Sequence, residues 1–338
     1  MKPFNLVFGA AVALAISSVA ANAQTPVKFS LDWKYEGTQA PFLLALDKGY
    51  FKAEGLDVTV DTSGGSVEPI NRIASGTYDM AFADINSMIK FRDQNPQIPL
   101  KAVYMVYNSP PFAIVGRKSK GISDPKSLEG KKLGAPAPDG AYAQWPIFVA
   151  ANKIDASKVT IMNIGFPVRE PMLVAGDVDA ITGFSFSSYI NVKYSGIPQD
   201  DIVTLLMSNY GLKLYGNAIL VNPKFASEKP ETVKAFLRAF NKALKDTAKN
   251  PAEAIASVLK RNEVAKKDVE LDRLQIALRD NILTPEVKAN GLGGIDMDRM
   301  STAIDQIAVT YTFKGEKPKP TDIFDSSFLP PAAERSAQ

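Results

Sequence analysis

Several short segments of this sequence bring together carboxylates, amides, glycines and aromatic rings, which is the chemistry of a binding site for a small polar molecule. Carboxylates accept hydrogen bonds from ring amines, and aromatic rings stack on a flat ligand. We expect no catalytic residue, no metal ligand and no cofactor site among these residues. The candidate ligand-binding residues are Trp33, Glu36, Gln39, Gly65, Ser66, Asp84, Asn86, Asp139, Tyr142, Trp145, Arg169, Glu170 and Phe186.

Many of these residues also have a purely structural interpretation. Trp33 could cap the core face of a strand, and Phe186 could belong to the hydrophobic core. Ser66 and Asp84 could simply cap the helices that follow them, because Ser and Asp are preferred at helix N-termini. Arg169 could pair with its acidic neighbour on the surface, where most charged side chains lie.

The composition argues against catalysis. The 338 residues include neither histidine nor cysteine, so the commonest general base, the commonest metal ligand and any thiolate nucleophile are missing. An enzyme would have to work through Asp, Glu, Lys, Tyr or Ser. Lys and Arg number 39 against 36 Asp and Glu, and the formal charge of +3 is spread along the chain. We therefore expect a binding protein without a nucleic-acid partner.

The candidate residues follow the predicted strands. Short apolar strands alternate with helical patterns through the first two thirds of the chain, which predicts an α/β fold with mostly parallel sheets, and the final third is helical. Because ligands collect outside the carboxyl ends of such strands, the loops at these ends should meet at one site. The predicted strands are Val27–Trp33, Leu56–Thr62, Met80–Ala83, Leu100–Val106, Phe112–Gly116, Lys132–Ala135, Val159–Ile164, Ala180–Gly183, Val203–Met207 and Ala218–Val221.

Two turn-rich segments could carry the chain between two lobes. The length of 338 residues exceeds the roughly 250–300 residues that usually share one core. Residues 107–112 contain Asn, Ser and two prolines, and residues 215–217 read Tyr-Gly-Asn. Either segment could instead be a bend within one sheet, because Pro and Gly mark turns of every kind.

Residues 1–23 have the features of a secretory signal peptide. Lys2 precedes an apolar run from Leu6 to Ile16, and Ala21 and Ala23 supply the small residues of a cleavage site. The apolar run is too short to span a bilayer comfortably, and no later segment is predicted to do so. We expect cleavage after Ala23 and a monomeric mature protein in the periplasm.

The segment from Leu31 to Val60 reads LDWKYEGTQAPFLLALDKGYFKAEGLDVTV, a strand, a turn, a helix and a second strand. This segment resembles the periplasmic solute-binding proteins of ABC importers for taurine, alkanesulfonates, nitrate and thiamine-precursor pyrimidines. The resemblance implies a type II periplasmic-binding-protein fold, with each lobe a mostly parallel sheet flanked by helices. Residues 24–111 and 217–338 would form a discontinuous first lobe, and residues 112–216 an inserted second lobe.

The resemblance also implies a function. Such a receptor closes about a hinge on its ligand and presents it to an inner-membrane ABC permease. The same fold family includes a eukaryotic pyrimidine synthase, which relies on histidine and cysteine residues that are absent here. The acidic, aromatic loops favour an aminopyrimidine-like nitrogen heterocycle as ligand, because buried carboxylates would repel an anion. The alternatives are a sulfonate or nitrate receptor, a secreted enzyme, and a ligand sensor for a membrane kinase.

Overall fold

The computed structural model describes residues 24–337, so the predicted signal peptide and its cleavage site after Ala23 lie outside the described residues. Each predicted strand overlaps an observed one. The first strand ends at Ser30, three residues before its predicted end, so Trp33 lies in the following loop. The strands are β1 (Thr25–Ser30), β2 (Leu56–Asp61), β3 (Met80–Asp84), β4 (Lys101–Met105), β5 (Phe112–Arg117), β6 (Lys132–Ala135), β7 (Thr160–Asn163), β8 (Ala180–Phe184), β9 (Ile202–Leu206) and β10 (Asn217–Val221).

The strands form two five-stranded sheets of matching topology. The first sheet has the order β2-β1-β3-β10-β4 and the second has the order β7-β6-β8-β5-β9. In the first sheet β10 runs antiparallel to both of its neighbours, and β5 does so in the second. The other strand pairs are parallel. The predicted α/β fold is confirmed. Each sheet is mostly parallel, as predicted, and contains one antiparallel strand.

Helices flank both sheets and dominate the last third of the chain, as predicted. Within residues 24–337, no helix combines the length and the apolar character needed to cross a bilayer. The helices are α1 (Ala40–Asp47), α2 (Tyr50–Ala53), α3 (Val67–Ala74), α4 (Ile85–Gln94), α5 (Trp145–Asn152), α6 (Phe166–Ala175), α7 (Ser185–Tyr194), α8 (Pro223–Glu228), α9 (Pro230–Lys249), α10 (Pro251–Leu259), α11 (Lys267–Ala277), α12 (Pro285–Asn290), α13 (Met297–Thr310) and α14 (Pro320–Ile323).

Helix α9 packs its apolar side against α1 and the core beside β1. The ring of Phe236 stacks 4.9 Å from Phe29 of β1, and the ring of Phe240 stacks 4.4 Å from Phe42 of α1. These aromatic contacts hold β1 and α1 in fixed positions, and therefore also the loop between them. The apolar stripe of α9 is buried throughout and consists of Val233, Phe236, Leu237, Phe240 and Leu244.

The chain crosses between the two sheets twice. The first crossing joins β4 to β5 through residues 106–111, and the second joins β9 to β10 through residues 207–216. The two segments are hydrogen-bonded to each other, because the Gly216 N–H donates to the Tyr107 carbonyl at 2.9 Å. The proposed boundaries of the lobes, 111/112 and 216/217, coincide with the ends of these segments and stay predictions. We call the parts of the chain around the first and second sheets the first and second lobes.

Candidate ligand-binding site

A cavity lies between the two lobes. The space free of protein atoms there amounts to about 460 Å³, a figure that includes open solvent at its mouth. Residues of both lobes form its wall, so the site is complete only when the lobes meet. The first lobe contributes Asp32, Trp33, Glu36, Thr38, Gln39, Gly65 and Ser66, and the second contributes Asp139, Gly140, Phe166, Arg169, Phe184, Phe186 and Ser187.

The loop between β1 and α1 contributes the largest share of the wall from the first lobe. It is fastened to α11, because the Gly37 N–H donates to Glu270 Oε2 at 2.6 Å. A Cβ atom at residue 37 would overlap the Glu270 carbonyl oxygen, so the packing requires glycine there. Pro41 in the first turn of α1 has no N–H to leave unsatisfied. The loop therefore reaches the cavity in a fixed conformation.

Gly65 allows the two lobes to approach closely. Its φ angle of +106° lies in the region that favours glycine. A Cβ atom there would lie 3.2 Å from the Pro138 carbonyl oxygen and 3.4 Å from the ring of Phe166, both in the second lobe. The Gly65 N–H donates to the Asp32 carbonyl at 2.9 Å. This glycine thus joins two cavity loops of the first lobe and leaves room for the second.

Aromatic rings form the apolar part of the cavity wall. Trp33 of the first lobe and Phe166 of the second meet edge to face, with ring centroids 4.8 Å apart. Phe184 and Phe186 meet in the same way at 5.8 Å. Rings from both lobes can therefore contact the faces and edges of a flat ligand.

Three carboxyl groups form the acidic part of the wall. Asp32 is buried and accepts a hydrogen bond from Asn217 Nδ2 at 2.7 Å, and burial raises its pKa to about 7. Burial also raises the pKa of Glu36, although Arg273 opposes this. Burial raises the pKa of Asp139 against the opposing effect of Arg169. Each of these carboxylates would gain from a ligand that donates a hydrogen bond to it.

The single arginine of the cavity wall already has acidic partners. Arg169 is buried, with Nη2 at 2.6 Å from Glu170 Oε1 and Nη1 at 4.0 Å from Asp139 Oδ2. Burial acts against its charged form, but the two carboxylates outweigh this and raise the pKa of Arg169. The Asp139 carboxylate also accepts from Thr182 Oγ1 at 2.8 Å. The positive charge of Arg169 is therefore largely balanced within the protein.

The structure brings most of the predicted site residues together. Their role in ligand binding stays a prediction. Within residues 24–337, no cluster of three acidic side chains is arranged to hold a metal ion. The predicted residues that line the cavity are Trp33, Glu36, Gln39, Gly65, Ser66, Asp139, Arg169 and Phe186.

Two other predicted residues lie behind the cavity wall and have structural partners. Asp84 caps α4, accepting hydrogen bonds from the backbone N–H groups of Asn86 and Ser87. Asn86 Nδ2 donates to the Tyr215 carbonyl at 2.7 Å. The sequence allowed Asp84 either to bind a ligand or to cap a helix, and the structure shows the helix cap. These residues support the junction of the lobes.

The remaining predicted residues also lie outside the cavity wall. Trp145 packs at the start of α5, with its ring centroid 6.1 Å from that of Phe148, so the ring that faces Trp33 is Phe166 and not Trp145. Tyr142 is partly buried and packs against the same core. Glu170 serves as the partner of Arg169 and, contrary to the surface interpretation, the pair is buried.

Sequence reasoning missed six residues of the wall. Five of them stand in the loops that the strand-end rule selects, and only the choice of individual side chains within those loops failed. The sixth, Asp32, falls inside the predicted strand Val27–Trp33, and its position one residue before Trp33 gives no separate signal. The missed residues are Asp32, Thr38, Gly140, Phe166, Phe184 and Ser187.

Comparison with known proteins places this chain in a family. The family described as NMT1/THI5 like matches residues 37–254. The formylaminopyrimidine-binding protein of Halalkalibacterium halodurans is 28% identical over 294 residues, covering 82% of this chain and 86% of that protein. The 4-amino-5-hydroxymethyl-2-methylpyrimidine phosphate synthase of Schizosaccharomyces pombe is 23% identical over 235 residues, covering 67% of each chain. The chain is thus similar both to a binding protein and to an enzyme.

The fold is shared with a solved binding protein. The alkanesulfonate-binding protein SsuA from Xanthomonas axonopodis pv. citri, bound to MOPS, matches with a TM-score of 0.67. The sequences are 14% identical, and the match covers 90% of this chain and 98% of that one. The similarity shows a common two-lobed α/β fold and confirms the fold expected from residues 31–60.

Proposed function

This chain belongs to the NMT1/THI5-like family, and on that basis we propose that it is a periplasmic solute-binding receptor for a small nitrogen heterocycle. In this proposal the receptor closes on its ligand and delivers it to an inner-membrane ABC permease. The cavity between two lobes supports capture by closure, because its wall is built from both. The predicted signal peptide supports the periplasmic location.

The charge of the cavity wall is the observation that favours a nitrogen heterocycle over an anion as ligand. Asp32, Glu36 and Asp139 face the cavity together with one arginine, and Arg169 is already paired with Glu170. Ring amines donate hydrogen bonds to the ionised form of such carboxylates. In this poorly hydrated space, an anion would be repelled by the ionised carboxylates. It could bind beside them only after they had taken up protons. A neutral or cationic heterocycle therefore suits the wall better than a sulfonate.

Titration calorimetry at about pH 8 tests the ligand class. We expect 4-amino-5-hydroxymethyl-2-methylpyrimidine to bind and taurine to bind weakly or not at all. The Glu36→Gln variant should lower the affinity for the pyrimidine by roughly tenfold, because the lost bond involves a charged acceptor. Glu68→Gln is the matched control, since Glu68 is about half exposed on α3 and does not line the cavity.

The competing ligand class has a distinct signature. Tight taurine binding that disappears in Arg169→Ala and survives in Glu36→Gln would overturn the heterocycle proposal and assign the cavity to anions. Arg169→Ala leaves Glu170 without its buried partner, so its folding must be checked by thermal melting. Arg169→Lys, which keeps the charge, provides the second variant if Arg169→Ala fails to fold.

A receptor returns its ligand unchanged, whereas an enzyme does not. We expect mass spectrometry to recover the bound pyrimidine with its original mass after prolonged incubation, because the chain has no histidine or cysteine to act as base or nucleophile. A new product that requires this protein would refute the receptor proposal.

Loss of pyrimidine uptake in cells that lack the protein would support delivery to a permease, whereas normal uptake would favour a sensor.

A further inference from the structure

A buried arginine behind the cavity connects the two lobes. Arg273 belongs to α11 of the first lobe, and its side chain is 2% exposed. Its Nη2 donates to Asn191 Oδ1 at 3.0 Å, and its Nη1 donates to Ser187 Oγ at 3.1 Å. Both acceptors belong to α7 of the second lobe. The guanidinium group does not line the cavity.

The other side of this arginine is held by the first lobe. Its Nε donates to Glu270 Oε2 at 3.0 Å, and its Nη1 lies 3.5 Å from Glu36 Oε2. The same Glu270 oxygen accepts from the Gly37 N–H, so α11 and the loop of Glu36 form one unit. Opening the lobes would separate the guanidinium group from α7 while these acidic partners stayed beside it. Such an opening would therefore break the contacts to Ser187 and Asn191.

The residues that this arginine reaches also face the ligand cavity. Phe186 and Ser187 line the cavity from the second lobe, and Glu36 lines it from the first. The Arg273 Nη1 group lies 3.4 Å from the carbonyl oxygens of both Phe186 and Ser187. One planar group with several fixed N–H donors can bind all of these acceptors, which the single ammonium group of lysine cannot do.

We propose that Arg273 is an interlobe latch, a positioning residue that stabilises the closed receptor and sets Phe186 and Ser187 against the ligand without contacting it. This inference rests on the proposed function as a closing receptor. The latch raises the affinity for every ligand that requires closure, because a larger population of the closed form lowers the apparent Kd. It leaves the preference between ligand classes to the residues of the cavity wall.

Two variants test the latch, one that removes an acceptor of Arg273 and one that replaces Arg273 itself. Asn191→Ala deletes one acceptor that is only partly buried and does not line the cavity. Arg273→Lys keeps the positive charge beside Glu36 and Glu270 but loses the planar guanidinium group and its several N–H donors. Asn152→Ala is the matched control, because Asn152 Nδ2 donates only to carbonyls within the second lobe, those of Phe148 and Tyr210.

Distances between the lobes report closure without reference to any ligand. Since the chain contains no cysteine, Lys158→Cys and Lys224→Cys give unique spin-label sites at exposed positions on opposite lobes. In double electron–electron resonance, we expect both latch variants to shift towards longer distances than the parent, with Asn152→Ala matching the parent. The shift should appear without ligand, and also with 4-amino-5-hydroxymethyl-2-methylpyrimidine below saturation.

Affinity gives the second measurement. Asn191→Ala should raise the Kd for this pyrimidine by roughly tenfold, mostly through faster dissociation, with the ratio of its affinities for this pyrimidine and for a second aminopyrimidine unchanged. Unchanged distance distributions in both latch variants would overturn the latch. A changed affinity ratio would instead assign Arg273 to ligand recognition. If the parent binds no pyrimidine, the proposed ligand class fails, while the distances measured without ligand still decide the latch.

Discussion

Replacing Asp32 by Asn should remove a loss of stability that the parent protein shows as the pH rises. Asp32 lies buried at the cavity wall, and burial raises its pKa to about 7. The side-chain amide of Gln39 satisfies more partners when its nitrogen faces the Lys34 and Glu36 carbonyls, which turns its oxygen towards Asp32 Oδ1. A proton on Asp32 is then needed between the two oxygens. Both observations indicate a carboxyl group that stays neutral up to about pH 7.

The magnitude follows from the two pKa values. The ordinary value is 3.8 and the value in the fold is about 7. Because the pKa is higher in the fold, the contribution to stability is complete below about pH 4 and is lost as the pH rises through about 7. About two pKa units of this change fall between about pH 5 and about pH 8.5, which corresponds to about 3 kcal/mol. The Asp32→Asn variant has no such proton to lose.

Urea unfolding at the two pH values measures this effect. The free energy of unfolding of the parent should fall by about 3 kcal/mol more than that of Asp32→Asn. Glu36 and Tyr107, which interact electrostatically with Asp32, are retained in the variant, so their own titration largely cancels. Asp57→Asn, exposed on β2, is the control and should follow the parent. Equal pH dependence in the parent and in Asp32→Asn would refute a raised pKa at Asp32.

Three other results are expected. Trp33→Ala should weaken pyrimidine binding tenfold or more in calorimetry with little change in Tm, because Trp33 is partly exposed and packs across the cavity; a readily unfolded variant with normal affinity would place Trp33 in the core. Gly37→Ala should destabilise the fold by about 1–3 kcal/mol in urea unfolding, since a Cβ atom would overlap the Glu270 carbonyl. Gly64→Ala should not, because a Cβ atom there would lie 3.5 Å from Glu68 Oε2, an ordinary van der Waals contact; equal losses would contradict the packing argument. Protein exported to the periplasm should have the intact mass of a chain that begins after Ala23, and a retained leader would contradict the predicted location.

The local pattern of the sequence determined the elements of the fold. Strand β6 was predicted with its observed bounds, Lys132–Ala135, and the stripe along α9 is buried as its spacing requires. These features depend on residues that are near each other in the chain, where backbone period and side-chain burial are coupled. The strand-end rule then located the cavity loops, because the carboxyl ends of parallel strands meet at one edge.

The tertiary structure decided which side chains within those loops reach the cavity. Trp33 and Trp145 both accompany strand-end loops, yet only Trp33 lines the cavity, because α5 turns Trp145 into the core beside Phe148. Asp32 is directed inwards by Asn217, which lies 185 residues further along the chain. Arg273 reaches α7 across a separation of 82 residues to Asn191. Periodicity describes neighbours in the chain, whereas burial, pKa and contacts between lobes depend on distances through space that only the packed chain sets.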